Sequence, residues 1–208
     1  MARAPLPEAS GDRRDELLAV GLRLFSVRPF DELLLDDIAA EAGVAKGLVH
    51  YYFGSKRGLY VAIVEAAATE LRERLDPDPA LPPAGRLRRS LDAYLRYAQE
   101  HSAGYRTLLG GGIGADPQVL AIRDAQRAFV IALILAGLDL PGDPPPALRA
   151  ALEGWLSFVE GVSLDWLVRR DLERDQVRDL LVTALGGALA AARAVDPALQ
   201  VDPEVVGP

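Results

Sequence analysis

The run Asp36-Asp37-Ile38-Ala39-Ala40-Glu41-Ala42-Gly43-Val44-Ala45-Lys46-Gly47-Leu48-Val49-His50-Tyr51-Tyr52-Phe53-Gly54-Ser55-Lys56 decides how the chain is read. Ile38, Ala39 and Ala42 stand at i, i+1 and i+4, so they share one face of a short helix. Gly43 follows where a left-handed cap is wanted, because a residue without a Cβ takes positive φ at little steric cost. Val44 can then fall back on that helix, and a second helix starts near Lys46. Val49 and Phe53 are four apart and can face inward. Lys46, Gly47, Leu48, His50, Tyr51 and Tyr52 spread around the remaining surface. Two helices crossing at a short turn that contains Gly make a helix-turn-helix, whose second helix enters the DNA major groove. Charge supports this reading. The formal net charge is −7, yet between Val44 and Tyr60 there are Lys46, Lys56 and Arg57 and no acid. Such a stretch in an acidic protein is a footprint for phosphates.

At these residues the sequence resembles the tetracycline-repressor (TetR) family of bacterial transcription regulators. The resemblance runs from about Asp12 to Leu71. It rests on Asp37-Ile38-Ala39, then Ala42-Gly43-Val44, Lys46-Gly47 and Tyr52-Phe53-Gly54-Ser55-Lys56. The remaining two thirds resemble the family in helix count and order alone. The resemblance implies a recognition helix over Lys46–Phe53, with Lys46, Gly47, Leu48, His50, Tyr51 and Tyr52 facing DNA. It implies Ser55 as the N-cap of the next helix, Lys56 beside it on a phosphate, and Gly47 as the place where backbone comes close to DNA. Three positions depart from the family pattern. Leu34 stands where Thr or Ser usually caps the second helix, a loss of about 1 kcal/mol. Ala45 stands where Ser is common, and His50 where Tyr is usual. The operator sequence therefore cannot be copied from a relative.

At 208 residues, half of them hydrophobic and a quarter charged, the chain can hold one or two domains with a real core. No cysteine is present, which excludes disulfides, thiolate metal sites and cysteine nucleophiles and fits a cytoplasmic protein. The N-terminal segment lacks the apolar core of a signal peptide. The longest apolar run, Ala128–Leu138, is about half a membrane span, so no membrane partner is expected. Residues 1–58 hold eight Lys/Arg and nine Asp/Glu. Binding to DNA would therefore rest on a patch and its geometry rather than on bulk charge.

The expected architecture is all-α: an N-terminal three-helix DNA-binding domain and a C-terminal helical bundle, about nine helices in all. Residues 1–11 read as a disordered arm. Residues 12–71 form the helix-turn-helix domain, with its motif near 34–53. Residues 72–197 form a ligand-binding and dimerisation domain, and residues 198–208 a flexible tail. Helices are expected near 12–27, 55–76, 85–100, 104–109, 117–138, 146–170 and 174–193, punctuated by Pro and Gly clusters. Pro29 should stop the first, Phe30 should plug the small core, and Arg13 and Arg14 stand at the helix start, either near DNA or simply solvated. The loop Gly110–Gly114 is no phosphate cradle, since no strand precedes it and no Lys-Ser/Thr follows.

The last two helices carry stripes too broad for one-sided burial. Trp155, Val159, Val162 and Trp166 with Leu181, Leu185, Ala188 and Leu189 read as a four-helix contact between two copies. The resemblance places the homodimer there; ordinary intradomain core is the alternative. Tyr94, Tyr97, Tyr105, Phe129, Trp155 and Phe158 supply aromatic surface for a pocket that would take a hydrophobic small-molecule effector. Catalytic motifs and metal-ligand spacings are missing from the sequence, and the two histidines, His50 and His101, lie far apart. The expectation is a regulator without cofactor or metal, not an enzyme. It would be a repressor that binds a partly palindromic double-stranded operator as a homodimer and is released by its effector. The alternative is a helical-bundle carrier or sensor of hydrophobic molecules that never meets DNA.

Overall fold

The structure, a computed structural model, describes residues 9–28, 30–75, 78–102, 105, 116–140 and 142–202. Among these the chain is all helical: α1 (Ala9–Val27), a 3₁₀ turn (Phe30–Glu32), α2 (Leu35–Glu41), α3 (Lys46–Phe53), α4 (Lys56–Arg74), α5 (Pro83–Glu100), α6 (Pro117–Gly137), α7 (Pro146–Arg169) and α8 (Arg174–Val195). No described helix is long and apolar enough to cross a membrane. The contacts divide the chain into Met1–Ala68 with Ala103–Ile122, and Thr69–Ser102 with Arg123–Pro208.

In the first unit the apolar repeat of α1 delivers Leu17, Val20 and Phe25 to a core shared with Leu33, Ile38, Val49, Leu59, Tyr60 and Ile63. Val119, from the start of α6, joins the same core. Phe30 stacks on Phe25 at 5.6 Å and meets Tyr60 edge-on at 5.4 Å, so it does plug the three-helix core. Gly21 has a distinct packing role. A Cβ there would stand 2.8 Å from the tip of Ile63, so the missing side chain lets α1 lie close to α4.

In the second unit α7 and α8 pack along their lengths, and α5 lies against both. Leu148, Leu152, Leu181, Leu185 and Leu189 are fully enclosed, and the Trp155 indole N–H donates to the Leu181 carbonyl at 2.9 Å. Ion pairs tie the rest. Arg88 meets Asp179 at 2.6 Å and Arg178 meets Asp92 at 3.3 Å, joining α5 to α8. Arg127 reaches Glu153 at 2.7 Å and Glu160 at 3.0 Å, joining α6 to α7.

Helix boundaries fall within about three residues of the sequence expectation, and several differences are physical. Residues 9–11 belong to α1 rather than to a disordered arm, and residues 1–8 lie outside the described residues. Ser55 precedes α4 and caps it. Pro83 begins α5 at a first-turn position that lacks a helical N–H partner anyway. Residues 198–202 do not behave as a free tail: Leu199 and Val201 are buried, and the Leu199 amide donates to the Asp196 carbonyl at 3.0 Å. The expected helix near 104–109, Pro29 and the Gly110–Gly114 loop lie outside the described residues, Tyr105 excepted.

Candidate nucleic-acid interface

The turn between α2 and α3 is built by Gly43. Its φ of +64° is the left-handed conformation that the spacing demands. The Gly43 amide donates to the Ala40 carbonyl at 3.1 Å and the Val44 amide to the Ala39 carbonyl at 2.9 Å. That pair of bonds is a Schellman cap, which satisfies the last carbonyls of α2 and folds Val44 back. Neither Leu34 nor Ala45 makes a side-chain cap, as their chemistry requires. At the first, the loss is offset from inside the helix, because the Asp37 carboxylate accepts the Leu34 amide at 3.0 Å and Arg28 at 2.9 Å. The Leu34 amide first, and then Arg28, hold the Asp37 carboxyl below the usual carboxylate range.

Across α3 the division of faces is clear. Val49 is fully buried while Lys46, Gly47, His50 and Tyr51 are exposed, Tyr51 by 56%. Leu48 and Tyr52 are half-buried, and Tyr52 packs against the core with its ring edge on Tyr51 at 5.3 Å. Gly47 has open space where a Cβ would be. Arg14 of α1 lies over the Phe53 ring at 5.6 Å, beside the end of α3, whereas Arg13 pairs with Glu16 at 2.6 Å.

The corner from α3 into α4 is tight for two reasons. Gly54 has φ +70° and donates its amide to the His50 carbonyl at 2.9 Å. Ser55 Oγ accepts the Gly58 amide at 2.9 Å, the N-cap bond expected of it. Gly58 is a residue that the sequence did not flag. A Cβ there would stand 2.1 Å from the Phe53 carbonyl oxygen, so only glycine lets α4 start this close to the end of α3.

The electrostatics differ from the sequence expectation. The stretch from Val44 to Tyr60 is acid-free in sequence but not in space. Lys46 Nζ lies 2.9 Å from Asp36 Oδ1. Arg57 Nη2 donates to Asp116 Oδ1 at 2.8 Å, a pairing that raises the arginine's pKa and lowers the carboxyl's. Lys56 donates to the Phe30 carbonyl at 2.7 Å with its ammonium 4.4 Å from the centre of the Phe30 ring. Each cation of the footprint thus has a partner within the chain. Asp36 and Asp116 are the residues that sequence reasoning missed. The first is ten positions from its partner and the second fifty-nine, and no local signal links them.

The remaining expected sites divide. Trp155, Val159, Trp166, Leu181, Leu185 and Leu189 are buried within the single chain. Within one chain their stripe lies in the contact between α7 and α8. Val162 and Ala188 are half-buried. Among the large apolar side chains that stay exposed on α7, α8 and their link are Phe158, Val168, Leu172, Leu180 and Val195. Phe158, Val162, Trp166, Leu172 and Leu180 border an open groove of about 390 Å³. Of the aromatic pocket set, Phe158 faces outward to this groove, Trp155 is committed to α8, and Tyr105 belongs to the first unit. Tyr97 is buried, while Tyr94 and Phe129 are half-buried, with Arg72 stacked over Phe129 at 5.9 Å.

Comparison with known proteins matches both parts of the chain. Residues 17–63 match the family described as bacterial regulatory proteins, tetR family, and residues 83–186 match the tetracyclin repressor-like C-terminal domain. The HTH-type transcriptional activator FasR of Mycolicibacterium smegmatis is 30% identical over 182 residues, covering 72% of this chain and 82% of that protein. The HTH-type transcriptional regulator BetI of Agrobacterium fabrum is 26% identical over 156 residues, covering 72% and 74%. Among solved structures, a tetR-family transcriptional regulator from Streptomyces coelicolor superimposes with a TM-score of 0.80 at 32% identity, over 90% of this chain and 85% of that one.

Proposed function

The chain belongs to the TetR family of bacterial transcription regulators, and from that premise we propose that it works as a homodimeric repressor released from a partly palindromic operator by a hydrophobic small molecule. The single observation that carries the DNA half is the split of α3: Val49 enclosed, and Lys46, Gly47, His50 and Tyr51 open to solvent on a helix fixed at both ends by glycine turns. Two such helices, one from each copy, would enter successive major grooves about 34 Å apart or at a multiple of that spacing. Lys46 and His50 would meet base edges, and Leu48 or Tyr51 a thymine methyl. Lys56, Ser55 and a tyrosine hydroxyl would hold phosphates and set the register.

The dimer contact moves outward from the buried stripe. Phe158, Val162, Leu172 and Leu180 present a patch of large apolar groups on α7, α8 and the link between them. Gly161 and Gly187 would meet nothing within the chain if they carried a Cβ, so a second copy can approach closely there. A two-fold axis makes such a patch self-complementary.

The effector site lies in the second unit, with Tyr94, Tyr97 and Phe129 as its aromatic contribution. The ligand acts by binding one spacing of the two readers better than the other, which is all that a two-state coupling needs. Helix α4 runs unbroken from Lys56 to Arg74 and contributes residues to both units, and so it is the element through which the coupling would pass. FasR is named as an activator. The sign of regulation depends on where the operator lies relative to the promoter, and repression here follows if the two overlap.

Selection of random-sequence duplexes by the full-length protein at stated salt tests the proposal. Enrichment of a two-fold symmetric site, with two chains per duplex, is the expected result. Enrichment of nothing above background removes the proposal.

A further inference from the structure

His50 makes one side-chain hydrogen bond that fixes its chemistry. Its Nδ1 stands 2.8 Å from the Gly54 carbonyl oxygen. A carbonyl oxygen only accepts, so Nδ1 carries the hydrogen and donates. In a neutral imidazole the other nitrogen then has no hydrogen, and Nε2 is an acceptor. The lock is reciprocal, because the Gly54 amide donates to the His50 carbonyl at 2.9 Å. Gly54 holds φ +70°, which only glycine adopts without strain, so the carbonyl that sets the tautomer is itself held by the turn. His50 is exposed, one helical turn beyond Lys46 on α3.

We infer that His50 is a specificity-determining residue that presents a bare Nε2 to the major groove and selects a base carrying an exocyclic amino group, adenine at N6 or cytosine at N4. In that groove the amino groups of adenine and cytosine are donors, whereas guanine O6 and N7 and thymine O4 are acceptors. A fixed acceptor therefore attracts the first pair and repels the second, and rejection comes from the same atom as recognition. The family's usual Tyr at this position presents a rotatable hydroxyl that donates or accepts. The tautomer-locked histidine discriminates where a hydroxyl does not. The inference rests on α3 being the DNA reader.

Two measurements test it. Long-range ¹H–¹⁵N spectra of the imidazoles in the full-length protein, with the His50→Gln variant to assign the signal, should show Nδ1 protonated and Nε2 bare when the ring is neutral. A hydrogen on Nε2 overturns the inference. Selection from a random-sequence duplex library should give the wild type one position per half-site restricted to adenine or cytosine. His50→Ala should relax that position by about five- to tenfold, the scale of one hydrogen bond to a base edge, and leave the other positions unchanged. His50→Arg, a donor only, should turn the same position to guanine. Retention of the other preferences shows that α3 still folds in the variants. A wild-type site whose base preferences all survive His50→Ala and His50→Arg overturns the role of His50 and leaves the DNA reading intact. Failure of the wild type to enrich any site overturns both.

Discussion

Asp36→Asn should make the protein bind DNA more tightly while making it slightly less stable. Lys46 and Asp36 form an exposed pair at 2.9 Å, with side chains 55% and 59% accessible. An exposed pair of this kind contributes roughly 0.2–1 kcal/mol, and a phosphate or base edge must displace it before it can use Lys46. The carboxylate also repels backbone phosphates. At ~7 Å in a water-like dielectric that repulsion is ~0.6 kcal/mol, and salt at 0.15 M cuts it to less than half. Together the two effects come to about 0.5–1 kcal/mol, or a two- to fivefold gain in affinity. The cost falls on folding, because Asp36 sits in the first turn of α2, where a negative charge contributes ~0.3–1 kcal/mol against the helix dipole. Fluorescence anisotropy on a labelled duplex, titrated at several salt concentrations, reads the first effect, and a thermal melt reads the second. The gain should shrink as salt rises. Affinity that is unchanged or weaker at low salt would refute the idea that the pair competes with DNA.

Lys56→Ala should lower the melting temperature by about 2–8 °C, since a charge-assisted bond to the Phe30 carbonyl and a contact with its ring together stabilise by roughly 1–2 kcal/mol. It should also lower the salt slope of DNA binding by about one. An unchanged melt argues against the clamp, and an unchanged slope against the phosphate contact. Gly58→Ala forces the α3–α4 corner open, because its Cβ would stand 2.1 Å from the Phe53 oxygen. A destabilisation of at least ~1–3 kcal/mol is expected in denaturant unfolding, with the dimer mass by light scattering unchanged; wild-type stability would contradict the geometry. Burial first, and then Glu70, push the Tyr97 hydroxyl from 10.0 up to about 12. The unfolded chain therefore ionises it first, and stability should fall as pH rises from 10.0 to about 12. Tyr97→Phe should remove that part of the alkaline loss, and an identical alkaline limb in the variant would refute it.

The helices were legible because their apolar residues keep a 3.6-residue repeat and their ends carry Pro or Gly. Gly43 is the clearest instance, since one residue type at one position implied a left-handed cap, and the structure forms it with the two bonds of a Schellman cap. What stayed hidden depends on contacts between distant parts of the chain. Periodicity shows that the faces of α7 and α8 must be covered, but not by what. Leu181, Leu185 and Leu189 therefore read as a surface for a second copy with intradomain core as the alternative, and the single chain buries them. Likewise, a run of cations without acids says nothing of the carboxylates that the fold brings to them, and Asp116 reaches Arg57 from another helix's start. Leu199 and Val201 lie beyond any repeat, and so their burial had no signature.

A hydroxyl-radical footprint of the full-length protein on its selected duplex measures the central claim most directly. Two protected patches on one face of the helix, centred about 34 Å apart or a multiple of that and related by two-fold symmetry, are predicted. A single patch, or no protection at moderate salt, would contradict the account.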